Sequence, residues 1–210
     1  GYYLAKQIIK MIWAISEEIR KNPRISSKLQ VVFLENYCVT LSEILMPASD
    51  ISEQISLAGT EASGTGNMKL MLNGAVTLGT LDGANIEIKE AAGDDNIIIF
   101  GMKTEEVNAL KARGYNPVDY YNNNGVIHEA IERMYRGING CTFNDVANSL
   151  KDRDPYMVLA DFDSYRQAQR YSTECYNDKM KWAKMSLNNI AGAGILSADR
   201  AVSEYAENIW

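Results

Sequence analysis

The sequence predicts an α/β protein: a layer of parallel sheet covered by helices, followed by an extension built of helices alone. Two observations predict it. Over the first half of the chain, short apolar runs rich in Val, Ile and Leu alternate with segments of helical periodicity, the pattern of parallel strands buried on both faces. Beyond residue 115 only helical periodicity remains, with Gly, Pro and Asn marking the breaks.

The elements follow in order. Leu4, Ile8, Ile12, Ile15 and Ile19 recur at helical spacing, and Asn22-Pro23 stops that helix. Leu29–Leu34, apolar except at Gln30 and rich in Val and Leu, has strand length and reads as a buried strand. Thr40-x-x-Glu43 fits a capping box opening a short helix that Pro47 ends. Ile51–Leu57 is ambiguous, a short strand being one reading, while Gly66–Leu72 reads as a helix and Ala75–Gly79 as a strand. Asp82–Ala92 reads as a helix closed by Gly93, although Ile86 and Ile88 alternate with charges and leave a strand open. A short strand over Ile97–Phe100 and a helix over Glu105–Arg113, ended by Gly114, complete the layer. Later helices are expected around Ile127–Met134, and over Asp161–Cys175, Asp178–Ile190 and Ser197–Trp210. Residues 1–115 thus form a partial Rossmann-like layer and residues 116–210 the helical extension. Sheets of this kind bind ligands at the carboxyl ends of their strands, which places the loops after Leu34 and Ser56 at the expected site.

Composition narrows the function. The chain has 210 residues, 46% hydrophobic and 23% charged, with a net charge of −6, ordinary values for a globular protein. An acidic balance without a basic stripe argues against a general nucleic-acid binder, and no apolar stretch is long enough to span a membrane. Cys38, Cys141 and Cys175 form no CxxC pair and no zinc spacing, which fits a reduced, cytoplasmic compartment. No acidic cluster has a metal-loop spacing, so no metal is expected. The one histidine, His128, lies beside Ile127 and Ala130 in a helical pattern and reads as a surface or packing residue. Gly1-Tyr2-Tyr3 lacks an initiator Met and runs straight into a helix, as expected of a chain cut from something longer.

The richest stretch is Glu61-Ala62-Ser63-Gly64-Thr65-Gly66-Asn67-Met68-Lys69. Small residues let backbone N–H groups approach an anion, and a lysine follows inside the apolar run Met68–Leu72. It is neither a dinucleotide fingerprint, since position 69 is not glycine, nor a Walker loop, since no Gly-Lys-Ser/Thr follows. A lysine on a helix is ordinarily solvated, its stem lying on apolar neighbours. Paired with a phosphate loop, it also suits a cofactor with a phosphate at one end and an amine-reactive carbonyl at the other, as in pyridoxal phosphate.

The segment Glu61–Gly74, EASGTGNMKLMLNG, resembles the cofactor-attachment region of the α-glucan phosphorylases, the glycogen, starch and maltodextrin enzymes. Phe33–Tyr37, Pro47–Ser56 and Gly79–Asn85 resemble the same family. So do Phe100-Gly101, Arg113-Gly114-Tyr115, Ala160-Asp161, Ser197–Arg200 and Ile209-Trp210, in the family's order. The resemblance implies the C-terminal half of a two-domain GT-B fold. It implies an enzyme that cleaves α-1,4-glucan with orthophosphate to give α-D-glucose 1-phosphate with retention, its pyridoxal 5'-phosphate exchanging a proton with the substrate phosphate. Lys69 then matches the Schiff-base lysine, desolvated by Met68, Leu70 and Met71. Gly64, Thr65 and Gly66 match the loop holding the cofactor phosphate, Glu61, Ala62, Ser63 and Gly64 the stretch lining the sugar hydroxyls, and Tyr37 and Cys38 residues beside the cofactor. Many members, animal forms included, have arginine where Cys38 stands, whereas bacterial maltodextrin-type members can have cysteine; a packing role beside the cofactor is favoured there over reactive-thiol chemistry.

The resemblance also implies partners that this sequence lacks: a Lys/Arg-rich element contacting the two phosphates, an N-terminal domain completing the glucan cleft, and a homodimeric parent. The chain alone is therefore expected to be inactive and to bind pyridoxal phosphate weakly or not at all. The final helix, crossing in the family onto that N-terminal domain, would leave the face of Val202, Tyr205, Ala206 and Ile209 without a partner and open to self-association. A nucleotide-sugar glycosyltransferase half and a non-catalytic helical module stay open as alternatives. The first has no use for a lysine in this loop.

Overall fold

The computed structural model describes residues 2–210. The chain forms two compact units interleaved in sequence: residues 1–37 with 115–160, and residues 38–114 with 161–210.

The first unit is helical. Its opening helix α1 (Tyr3–Lys21) stops where expected, and the residues that stop it start the next turn: Pro23 occupies the first position of α2 (Pro23–Ser26) and Asn22 caps it, accepting from the Arg24 N–H at 3.1 Å. Four further helical segments belong here: α7 (Pro117–Asn123), α8 (Gly125–Arg136), α9 (Asn144–Asn148) and the π-helical turn Ser149–Arg153 that continues it. Ala14 of α1 packs with Ile138, Phe143 and Val146 into a small core, bordered by Met11 and Met134. Glu18 secures the rim, accepting from Arg133 at 2.7 Å and from the Asn139 N–H at 2.7 Å. Those bonds, the Asn139 backbone first, hold the Glu18 carboxyl below its ordinary range. Buried Asp154 accepts from the Tyr115 hydroxyl at 2.7 Å and from the Val158 and Leu159 N–H groups that open α10 (Val158–Asn177). Burial, reinforced by that hydrogen bond, pushes the Tyr115 phenol far above its ordinary value.

Leu29–Leu34 is a correction to the sequence reading. It lies outside any helix or strand, with Val32 and Phe33 both 69% exposed. Its apolar content reads as two-sided burial, but a strand also requires ladder partners for its backbone. Among the described residues no strand pairs with it; the Val31 carbonyl accepts instead from Ser16 Oγ of α1 at 2.9 Å.

The second unit is the α/β layer. Three parallel strands, β1 (Ile51–Gln54), β2 (Val76–Gly79) and β3 (Ile98–Ile99), lie in the order β1-β2-β3. Ile51 pairs with Val76 and Leu78 with Ile98. Helix α3 (Val39–Leu45) precedes β1, α4 (Gly66–Leu72) and α5 (Asn85–Ala92) connect the strands, α6 (Thr104–Arg113) follows β3, and α11 (Lys179–Gly192) and α12 (Ala198–Asn208) lie at the end. Every position of β2 is buried. Val76, Leu78 and Ile98 pack with Phe100 against Ala168 and Cys175 of α10 and Trp182 and Met185 of α11. A second cluster joins Met71 of α4 to Ile88 and Ala92 of α5, Ile97 and Ala193.

Two local expectations shift. Cys38, not Thr40, caps α3, and no side-chain capping bond forms there. The segment from Asp82 becomes helical only at Asn85, because Asp82 and Gly83 are taken up by a turn. At the other end of the chain, Val202, Tyr205 and Ile209 of the last helix region are exposed, as the apolar-face reading expected.

Packing between α5 and α11 leaves no room at Gly192, where a Cβ would lie 2.4 Å from the Ala91 carbonyl oxygen. Gly192→Ala gains about 1 kcal/mol of helix propensity but forces apart two backbones, at a cost of about 1–3 kcal/mol. The expected outcome is a lower melting temperature. Gly194→Ala, whose Cβ meets nothing within 4 Å, leaves it unchanged within about 1 °C. Thermal unfolding followed by circular dichroism checks the pair, and equal melting temperatures would contradict the packing argument.

Candidate functional site

The carboxyl ends of β1 and β2 carry the sequence's richest stretch between them. β1 ends at Gln54 and β2 at Gly79, and the loop 59–65 lies between β1 and α4. The two strand ends approach closely. A Cβ on Gly79 would fall 2.6 Å from the Gln54 carbonyl oxygen and 2.7 Å from Asn85 Nδ2, so only glycine fits. The Thr80 hydroxyl donates to the Ser56 carbonyl at 2.6 Å, and Asn85 Nδ2 donates to the Thr80 carbonyl at 2.9 Å.

A small polar cavity of about 80 Å³ opens here, lined by Gln54, Ser56, Glu61, Ser63, Gly64, Asn67, Thr80, Asp82 and Asn85. Glu61, Ala62, Ser63, Thr65 and Gly66 are exposed and Gly64 is half-buried in a left-handed conformation, φ +86°. A Cβ on Gly64 would sit 3.5 Å from Asn67 Oδ1 and 3.9 Å from Glu61 Oε1, so the Glu61 carboxylate and the Asn67 carboxamide face the glycine turn together. The structure thus brings Glu61–Gly66 and Lys69 into one loop and the short helix it feeds.

The donors suit an oxygen-rich ligand. Thr65 caps α4 yet spends no side-chain oxygen on it, and a Cβ on Gly66 would meet nothing within 4 Å, leaving its backbone open to approach. Lys69 stands one turn further along the helix, exposed, and enters no ion pair among the described residues. A phosphate near the loop and a carbonyl near the amine are both compatible with this donor set.

Two expectations change, those for Lys69 and Cys38. Lys69 is not desolvated by its neighbours: Met71 is the fully buried member of α4, Met68 and Leu70 are half-buried, and Lys69 projects away, because a helix separates successive residues by about 100°. Cys38 is exposed rather than packed. Tyr37 is 60% exposed and belongs to the first unit, whereas Cys38 begins the second. His128 is exposed, its ring 4.5 Å from that of Tyr121.

Sequence reading assigned no role to Asn67, Asp82 and Asn85, all buried polar residues. Asp and Asn beside a glycine turn read as ordinary turn chemistry, and only their burial distinguishes them. Among the described residues no group of three or more His, Cys, Asp or Glu could hold a metal ion. Among the described residues no helix is long and apolar enough to cross a membrane.

Fold and loop define an α/β layer with a glycine-rich, lysine-bearing loop at its strand ends. The profile of the carbohydrate phosphorylase family matches residues 1–210, and the chain belongs to that family. It is 46% identical to the muscle form of glycogen phosphorylase from Mus musculus, 45% identical to that from Homo sapiens and 44% identical to the human brain form. Each alignment takes in the whole chain but 25% of the relative, so the chain spans about a quarter of the length of the curated relatives it matches.

Replacing Gly64 by Ala forces a left-handed backbone on a residue that disfavours it, costing about 1–2 kcal/mol. The unit stays folded, because the loop is exposed, but residues 61–66 exchange amide hydrogens faster. Exchange mass spectrometry of the variant checks this, and unchanged exchange in that peptide would contradict it.

Proposed function

We propose that this chain is the cofactor-bearing C-terminal portion of an α-glucan phosphorylase. Its full-length parent would cleave the α-1,4-glucan chain of glycogen or maltodextrin with orthophosphate, releasing α-D-glucose 1-phosphate with retained configuration. The observation that carries this reading is Lys69, solvent-facing one turn beyond an open Gly-Thr-Gly turn at the strand ends, in a chain that aligns end to end with glycogen phosphorylases.

Pyridoxal 5'-phosphate, when bound, supplies a phosphate whose second pKa, near 6, suits proton exchange at neutral pH. Lys69 tethers that group through its amine. Backbone N–H groups of Gly64, Thr65 and Gly66, with the Thr65 hydroxyl, hold its phosphate. By the resemblance, Cys38, in the same unit as the loop, would lie beside it. Glu61 accepts from the hydroxyls of the reacting glucose, and Ala62, Ser63 and Gly64 shape the space around them. Holding the glucose in one orientation lowers the entropic part of the barrier.

Two phosphates side by side repel, so cations must offset their charge. The loop offers Lys69 alone, and the reading therefore assigns the remaining cations to a Lys/Arg-rich element outside this sequence. An N-terminal domain would close the glucan cleft, and the parent would be a homodimer. Within this proposal residues 1–115 serve as the cofactor layer and residues 116–210 as its helical extension. Three free thiols, at Cys38, Cys141 and Cys175, support a cytoplasmic setting.

Borohydride reduction of the full-length parent should fix the cofactor to the peptide containing Lys69, as read by mass spectrometry. Lys69→Ala should abolish both the label and phosphorolysis. The isolated 210-residue chain should release no glucose 1-phosphate from glucan. A parent that carries no carbonyl cofactor, or an isolated chain that is active, would sink the reading.

A further inference from the structure

We propose that Asp82 is a positioning residue for the ligand loop, holding the backbone around Glu61 in place without touching substrate. The inference rests on the reading of Glu61–Gly64 as the sugar-facing stretch.

Asp82 is 7% exposed, and its carboxylate reaches back more than twenty residues. One oxygen accepts from the Gly59 N–H at 2.9 Å; the other accepts from the Thr60 N–H at 3.2 Å and the Glu61 N–H at 2.8 Å. Three successive amides thus converge on one anion, a nest closed by the protein's own carboxylate. Gly59, at φ +85°, makes the convergence possible. Hydrogen bonds to an ionised acceptor are roughly twice as strong as neutral ones.

The turn carrying Asp82 grips the loop twice more. Ala84 donates its N–H to the Ser63 carbonyl at 2.8 Å. Gly83 leaves room for this contact, since a Cβ there would lie 2.6 Å from the Ser63 oxygen and 2.9 Å from Glu61 Cγ. Asn85 accepts from Asn67 Nδ2 at 2.9 Å, and Asn67 Oδ1 in turn accepts from the Met68 N–H at 3.0 Å. The loop is therefore pinned at its start, its middle and its junction with α4, while Gly64–Gly66 remain open. An exposed carboxylate such as Glu61 would otherwise sample many positions. Here its backbone is fixed from below by a buried one.

A carboxylate is required because a carboxamide offers one acceptor oxygen where three N–H groups converge. In Asp82→Asn, amide exchange at Gly59, Thr60 and Glu61, protected in the wild-type chain, should accelerate about tenfold or more while β2 exchange and the melting temperature change little. In the full-length parent the same variant should lower kcat about tenfold or more, with the KM for orthophosphate within about twofold, because misplacement affects the transition state more than phosphate binding. Gly83→Ala keeps the carboxylate and displaces the loop from the other side. It should lower kcat similarly while residues 59–61 stay protected. Fast exchange at residues 59–61 in the wild type would overturn the proposal, as would unchanged kcat in both variants. Collapse of β2 protection together with residues 59–61 in Asp82→Asn, with Gly83→Ala fully active, would also overturn it by making Asp82 a general fold element. Borohydride capture at Lys69 is read in parallel. Its absence in the wild type would sink the phosphorylase reading, while the exchange data would still decide whether the clamp exists.

Discussion

Burial of β2 is the constraint on which the second unit depends. Its four residues are shielded by β1 on one edge, β3 on the other and helices on the faces. A strand so enclosed has no water to satisfy its backbone, so its register with both neighbours is obligatory. That register brings the end of β1 beside the end of β2, and Gly79 permits the contact by having no Cβ. The glycine-rich loop leaves β1 and the Asp82 turn leaves β2, so a packing requirement in the core sets which polar groups meet at the strand ends.

The site then divides its labour by burial. Groups suited to chemistry, Glu61, Ser63, Thr65 and Lys69, are exposed. The groups that hold them, Asn67, Thr80, Asp82 and Asn85, are buried and hydrogen-bonded. Buried polar groups are costly unless partnered, and here each partner is loop backbone or another member of the network. The hydrogen bonds of this network therefore set the geometry of the loop.

Much of the architecture was legible because its signals are local. Helix α1 follows from a repeat of Leu and Ile at helical spacing, stopped by Asn22-Pro23. Helix α6 was legible over Glu105–Arg113 with Gly114 beyond its end, and Gly114 indeed stands in a left-handed turn there. The loop and Lys69 were legible as residue types at fixed spacing. Leu29–Leu34 misled for the opposite reason: an apolar run states that burial is wanted, but not which backbone will pair with it.

By itself, then, the sequence determined the helix and strand types of the α/β layer, the position of the glycine-rich loop and the lysine following it, because each is written within a span of a few residues. Only the tertiary structure decided that Lys69 faces solvent while Met71 is buried, that Cys38 is exposed, that residues 115–160 join the first helix in one unit, and that Asp82 gathers three distant amides. Those facts depend on which surfaces the folded chain covers and on contacts between residues far apart in sequence, and neither is encoded in local periodicity.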